Sequence, residues 1–144
     1  MKEIVLISCV SKKLEGTYEA FKLYSPSVLF KAHWNYTLQK LKKNPKEEIF
    51  IISAKYGLLS PFEKIPKYDV TLKTMSKEEK QKWAKNVVNQ LKEKFNIEDT
   101  TFLILAGKDY YEELIKLLPH YKLIPEEPLP IGKRVQWFQK ETSK

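Results

Sequence analysis

Three short, unbroken apolar runs punctuate the chain: Ile4 to Ile7, Ile49 to Ile52 and Phe102 to Ala106. None alternates with polar residues, and all are rich in Ile and Leu, which is the pattern of parallel strands buried on both faces. They predict strands over Ile4–Ser8, Ile49–Ser53 and Phe102–Ala106. The stretches between them carry helical spacing instead. The class this predicts is α/β, a three-layer sandwich in which a mainly parallel sheet of about four strands is flanked by helices.

The intervening helices announce themselves at their starts. Ser25 and Pro26 offer an N-cap and a first-turn proline, and Phe30, Trp34, Leu38 and Leu41 follow at helical spacing, predicting a helix that ends near Lys43. Ser76 and Glu79 have capping-box spacing ahead of a stripe of Trp83, Val87, Val88, Leu91 and Phe95, which reads as core. A third helix is predicted from about Tyr110 to Leu118, with Asp109 and Glu112 spaced as a cap and Pro119 as its stop. Leu123 and Ile124 suggest a short fourth strand, and Val135 to Phe138 a terminal strand or helical turn. The segment Gly57 to Thr74, with Pro61 and Pro66, breaks the rhythm; so long an irregular connection commonly binds something or covers a site.

Length and composition sharpen this picture. The chain has 144 residues, 42% hydrophobic and 31% charged, with no Pro-, Gly- or Ser-rich linker, which predicts a single domain over 1–144. No apolar run approaches the roughly 20 residues of a membrane span. The amino terminus lacks the apolar region of a secretory signal, and the lone Cys9 forms no internal disulfide; both fit a reducing cytoplasm. The net charge of +8 favours encounter with phosphates, so nucleic acid or a nucleotide is the expected partner. A lysine-rich solvated surface accounts for the same charge, since Arg134 is the sole arginine. Oligomeric state leaves no signal.

Ligands of open parallel sheets bind outside the carboxyl ends of the strands. Here the first strand runs into Ser8, Cys9, Ser11, Lys12 and Lys13, the second into Ser53, Ala54, Lys55, Tyr56 and Gly57, and the third into Ala106, Gly107, Lys108, Asp109 and Tyr110. Small residues at such exits let backbone N–H groups approach an anion, although glycine equally serves a tight turn. No dinucleotide or triphosphate fingerprint is present, and neither His33 and His120 nor Cys9 has metal-ligand spacing, so no cofactor or metal is predicted. Cys9 reads as a small buried thiol or a strand-end nucleophile, and the histidines as surface or packing residues. In the long loop, Asp69 suits a general base or a stabiliser of developing positive charge, and Tyr68 suits stacking on a base; the alternatives are an aspartate capping a turn and a tyrosine packed on the core edge.

The segment Ser53-Ala54-Lys55-Tyr56-Gly57-Leu58-Leu59-Ser60-Pro61, with Ile65, Tyr68, Asp69, Thr71 and Leu72, resembles the signature of a family of small, uncharacterised bacterial and phage proteins. The blocks Ile7 to Lys13, Leu105 to Tyr110 and Pro128 to Arg134 are similar to the same family. More distantly, the Tyr56 to Pro61 and Tyr68-Asp69 portions resemble the peroxide-stress protein YaaA family and a domain of archaeosine synthase. These resemblances imply a uracil-DNA-glycosylase-like fold and nucleic-acid or nucleobase chemistry. The glycosylase motifs Gly-Gln-Asp-Pro and His-Pro-Ser are missing, so that enzyme's catalytic residues do not transfer.

The expectation is therefore a glycosylase-type enzyme acting on an N-glycosidic bond of a modified base or nucleotide, with Asp69 as the catalytic carboxylate. Ser8, Ser11, Lys12, Ser53, Lys55, Tyr56, Gly57, Tyr68, Thr71, Gly107, Tyr110 and Arg134 are expected around the substrate. A non-catalytic DNA- or RNA-binding protein, or a small nucleotide hydrolase or sensor, is the alternative.

Overall fold

A computed structural model describes residues 1–144. In chain order the elements are β1 (Lys2–Ser8), β2 (Thr17–Glu19), α1 (Ala20–Leu23), α2 (Val28–Gln39), β3 (Ile49–Ser53), β4 (Gly57–Leu59), β5 (Lys64–Pro66), α3 (Lys77–Lys94), β6 (Thr100–Leu105), α4 (Lys108–Tyr111), β7 (Tyr121–Leu123) and α5 (Ile131–Thr142). The three apolar runs form the centre of a five-stranded sheet in the order β4-β3-β1-β6-β7. Strands β3, β1, β6 and β7 are parallel, and β4 is antiparallel to β3. Ile4, Val5, Leu6 and Ile7 of β1 are wholly buried, because both faces of this middle strand are covered.

Register identifies the two covers. Ile4 is opposite Phe102 and Leu6 opposite Phe50; Phe95, at the carboxyl end of α3, lies edge-on to both phenylalanines on that face. Val5 and Leu103 share the other face, where Tyr36 of α2 and Trp137 of α5 border Leu103 in a surface groove. Helices thus cover both sides of the sheet.

Local signals were followed where they were strongest. Ser76 and Glu79 close a reciprocal capping box at the start of α3. Elsewhere the structure moves the expected boundaries. The cap of α2 is Ser27 rather than Ser25: its Oγ accepts from the Phe30 N–H at 3.1 Å, and α2 ends at Gln39, short of Lys43. Asp109 does not cap the third helix; Gly107 occupies that position, α4 is a single turn, and looser turns carry the chain to Leu118. The fourth parallel strand is Tyr121–Leu123, shifted from the expected Leu123 and Ile124. Val135 to Phe138 lie inside a twelve-residue helix that buries Arg134 and Phe138. The long loop also contains two short strands, β4 along β3 and β5 paired with β2 in a separate two-stranded sheet.

Candidate functional site

Strand order determines where the sheet opens. From β1 the chain passes through α2 on one face to reach β3; from β6 it passes through α4 and residues 112–118, on the α3 side, to reach β7. Adjacent strands β1 and β6 therefore send their exits to opposite faces, which leaves a crevice between their carboxyl ends. A cleft of about 450 Å³ occupies that position. Ser8, Ser11 and Lys12 line it from the β1 exit, Gly107 and Tyr110 from the β6 exit, Thr71 from the long loop and Arg134 from α5. The structure thus brings these sequence-predicted residues together.

Arg134 is the electrostatic centre of the cleft. It is 9% exposed, it forms no ion pair, and its Nε has no hydrogen-bond partner. The tip of the guanidinium lies against Gly107, where a Cβ would sit 3.3 Å from one terminal nitrogen and 3.5 Å from the other. The backbone of Gly107 is ordinary (φ −79°, ψ 168°), so the glycine serves close approach rather than an unusual turn. Burial lowers the affinity of Arg134 for its proton, as it does for any cation removed from water without a counter-charge. Lys12, Lys73 and Lys108 add exposed positive charge around the same opening. The one carboxylate in the wall, Asp109, is already engaged by Lys80 at 2.8 Å.

Two longer helices begin at this cleft. Ser27 and Leu29, at the start of α2, and Pro130 and Ile131, at the start of α5, belong to its wall. Pro130 supplies no side-chain cap, so the first-turn N–H groups of α5 lack intrahelical partners and add partial positive charge to that of Arg134. Beneath, His33 of α2 is fully buried between the helices, edge-on to Phe138, and neither ring nitrogen has a partner. Burial, followed by the nearby Arg134 charge, pushes its pKa down to about 3.

At the β3 exit the arrangement is different. Tyr68 is buried, and its hydroxyl hydrogen bonds with Tyr24 at 2.5 Å and with Ser53 Oγ at 2.9 Å. Ser53 Oγ also accepts the N–H groups of Lys55 and Tyr56, while its carbonyl accepts Trp83 Nε1–H at 2.8 Å. Lys13 Nζ lies 4.4 Å from the Tyr68 ring centroid, and Tyr24 and Tyr56 pack against the ring edge-on. Burial raises the Tyr68 and Tyr24 pKa values well above the usual phenol range, and burial lowers that of Lys13. This geometry fits the alternative of a tyrosine packed on the core edge, with Tyr68 6% exposed, and not base stacking. Gly57 has φ +72° and faces Gln90 and Asn86 of α3, which fits the turn alternative for this glycine.

Ser53, Lys55, Tyr56, Gly57 and Tyr68 therefore lie outside the cleft wall. Lys55 is exposed and extends over the Tyr56 ring. Asp69 is exposed, acts electrostatically on Lys13, and likewise stands outside the wall, two residues before Thr71. The two exits meet at Cys9, which is buried in the cleft floor: its Sγ lies 3.2 Å from the Tyr110 hydroxyl and accepts the Ala54 N–H at 3.4 Å.

Sequence reasoning missed Ser27, Lys73 and the Leu129–Ile131 wall as site residues. Only the Pro128 to Arg134 block offered a signal for the last of these, and it did not reveal that a helix begins there. A larger depression of about 600 Å³ beside the carboxyl end of α3 contains neither hydroxyls nor arginine. No group of three or more His, Cys, Asp or Glu side chains is placed to hold a metal ion, and no helix is long and apolar enough to cross a membrane. No curated protein and no solved structure matches the chain. A family model fits residues 4–140, so the chain that builds this cleft belongs to the family of unknown function DUF6884.

Proposed function

We propose that the β1–β6 cleft binds a phosphate-bearing nucleotide unit, free or within a nucleic-acid strand. One observation carries this reading: the only arginine of the chain is buried in the cleft with no counter-charge. A buried guanidinium is costly to keep unpaired, and a phosphate satisfies it through charge-assisted hydrogen bonds. Hydroxyls of Ser8, Ser11 and Thr71 and the start of α5 supply further donors, and the volume suits a single small ligand. The sheet between helical layers also suits the uracil-DNA-glycosylase-like fold that the resemblance implies. Arg134→Met is the direct test. Titration with nucleotides and short oligonucleotides should show affinity falling about 10- to 100-fold, the worth of a charge-assisted contact. Unchanged affinity removes the basis of the reading.

The catalytic form of the same proposal is hydrolysis of an N-glycosidic bond of a modified base or nucleotide: the bond from the anomeric carbon to the base breaks, water supplies the new C–O bond, and a proton leaves with the base. Positive charge builds on the sugar in such a reaction, and a carboxylate must stand near it. Asp69 is the residue proposed for that role, supported by its position on the strand of loop that supplies Thr71 to the wall. A panel of modified DNA, RNA and nucleotides tests it: free base should be released by the native chain and not by Asp69→Asn. Arg134-dependent binding without base release favours the alternatives: salt-sensitive binding of strands points to a non-catalytic DNA- or RNA-binding protein, and tight binding of a mononucleotide alone to a small nucleotide hydrolase or sensor.

A further inference from the structure

We propose that the cleft takes its ligand end-first, by a terminal phosphomonoester, and discriminates against internal phosphodiesters. This rests on the nucleotide reading above and narrows it to a substrate class: a nucleoside monophosphate, or a strand whose end is phosphorylated.

Depth is the first argument. Arg134 is 9% exposed, and its terminal nitrogens lie against the Gly107 backbone. An internal phosphodiester continues through two ester oxygens, so two stretches of chain must enter the opening to bring its phosphorus to the terminal nitrogens of a side chain whose Nε is wholly buried. A monoester has one continuation and can enter alone. A cleft of about 450 Å³ holds one such unit.

Charge is the second. Arg134, Lys12, Lys73 and Lys108 border the cleft, against a single carboxylate, Asp109, that Lys80 already neutralises at 2.8 Å. A terminal phosphate brings about −1.5 to −2 charges and three acceptor oxygens at neutral pH, whereas a diester brings one charge. The uncapped first turn of α5 faces the same space and favours the higher charge.

Calorimetric titration of the full chain decides the matter, using matched single strands with 5′-phosphate, 3′-phosphate or hydroxyl-only ends, together with nucleosides and nucleoside monophosphates. End-phosphorylated strands should bind at least about tenfold tighter than hydroxyl-ended ones, and that advantage should vanish in Arg134→Met and persist in part in Arg134→Lys. Comparison of monophosphates with end-phosphorylated strands shows which source supplies the phosphate. Equal affinity for phosphorylated and hydroxyl-ended strands, both weakened by Arg134→Met, overturns end-first entry and leaves nucleotide binding standing. Absence of any Arg134-dependent binding in a variant that keeps the native circular dichroism spectrum overturns both.

Discussion

The exits of β1 and β3 lie side by side on one sheet, begin with similar small and hydroxyl-bearing residues, and end in opposite electrostatic states. At the β3 exit every buried polar group has a partner: Ser53 accepts two backbone N–H groups, and Tyr68 bonds to Ser53 and Tyr24. Beside the β1 exit, Arg134 Nε and both nitrogens of His33 are buried without one. A satisfied network rigidifies the fold, whereas an unsatisfied buried group costs free energy, and of these only Arg134 borders the cleft. Both exits offer small and hydroxyl-bearing residues in the sequence, and residue type does not reveal whether their hydrogen-bonding capacity is spent.

The contrast predicts that the two regions separate stability from binding. Tyr68→Ala should have the largest effect, costing about 3–5 kcal/mol of stability through lost packing and orphaned hydroxyls, while nucleotide affinity of the folded protein stays within about twofold. Denaturant unfolding and titration on the same samples check both halves; a large affinity loss breaks the comparison.

A smaller effect comes from His33 and depends on pH. In the folded chain its pKa lies near 3, whereas an unfolded histidine protonates near 6.5. Between those values the unfolded state binds more protons, so stability is intact above about pH 6.5 and falls as pH drops toward 3. Between pH 7 and pH 5 the loss should be roughly 2 kcal/mol, measured by urea unfolding. His33→Phe should remove this component of the slope, and an unaltered slope places its origin elsewhere.

The smallest effect expected is that of Gly107→Ala. Its backbone is available to any residue, and the added methyl displaces the guanidinium tip by a few tenths of an ångström. Affinity for a phosphorylated ligand should fall by less than about tenfold, with stability changed by less than about 1 kcal/mol. A change in stability alone separates Gly107 from the binding site.

Local features were legible to the extent that they are decided locally. The Ser76–Glu79 box needs only three residues of separation, and the apolar runs declared β1, β3 and β6 without reference to partners. The cap of α2 was misplaced because two serines flank Pro26 and only the Phe30 N–H chooses between them. Strands β4 and β5 were hidden because three-residue strands exist by virtue of β3 and β2 beside them. The site was partly legible: Ser8, Ser11, Lys12 and Gly107 follow directly from the strand ends, but a loop and a distant helix bring Thr71 and Arg134 to them.

Alone, then, the sequence determined the α/β class, the buried parallel strands and the excess of positive charge, since hydrophobic periodicity and charge are properties of the chain itself. Tertiary structure decided that the crevice opens between β1 and β6, that the tyrosine cluster closes over the β3 exit, and that Arg134 is buried unpaired. The physical reason is that burial and hydrogen-bond satisfaction belong to pairs of groups, and those pairs exist only once distant segments have met.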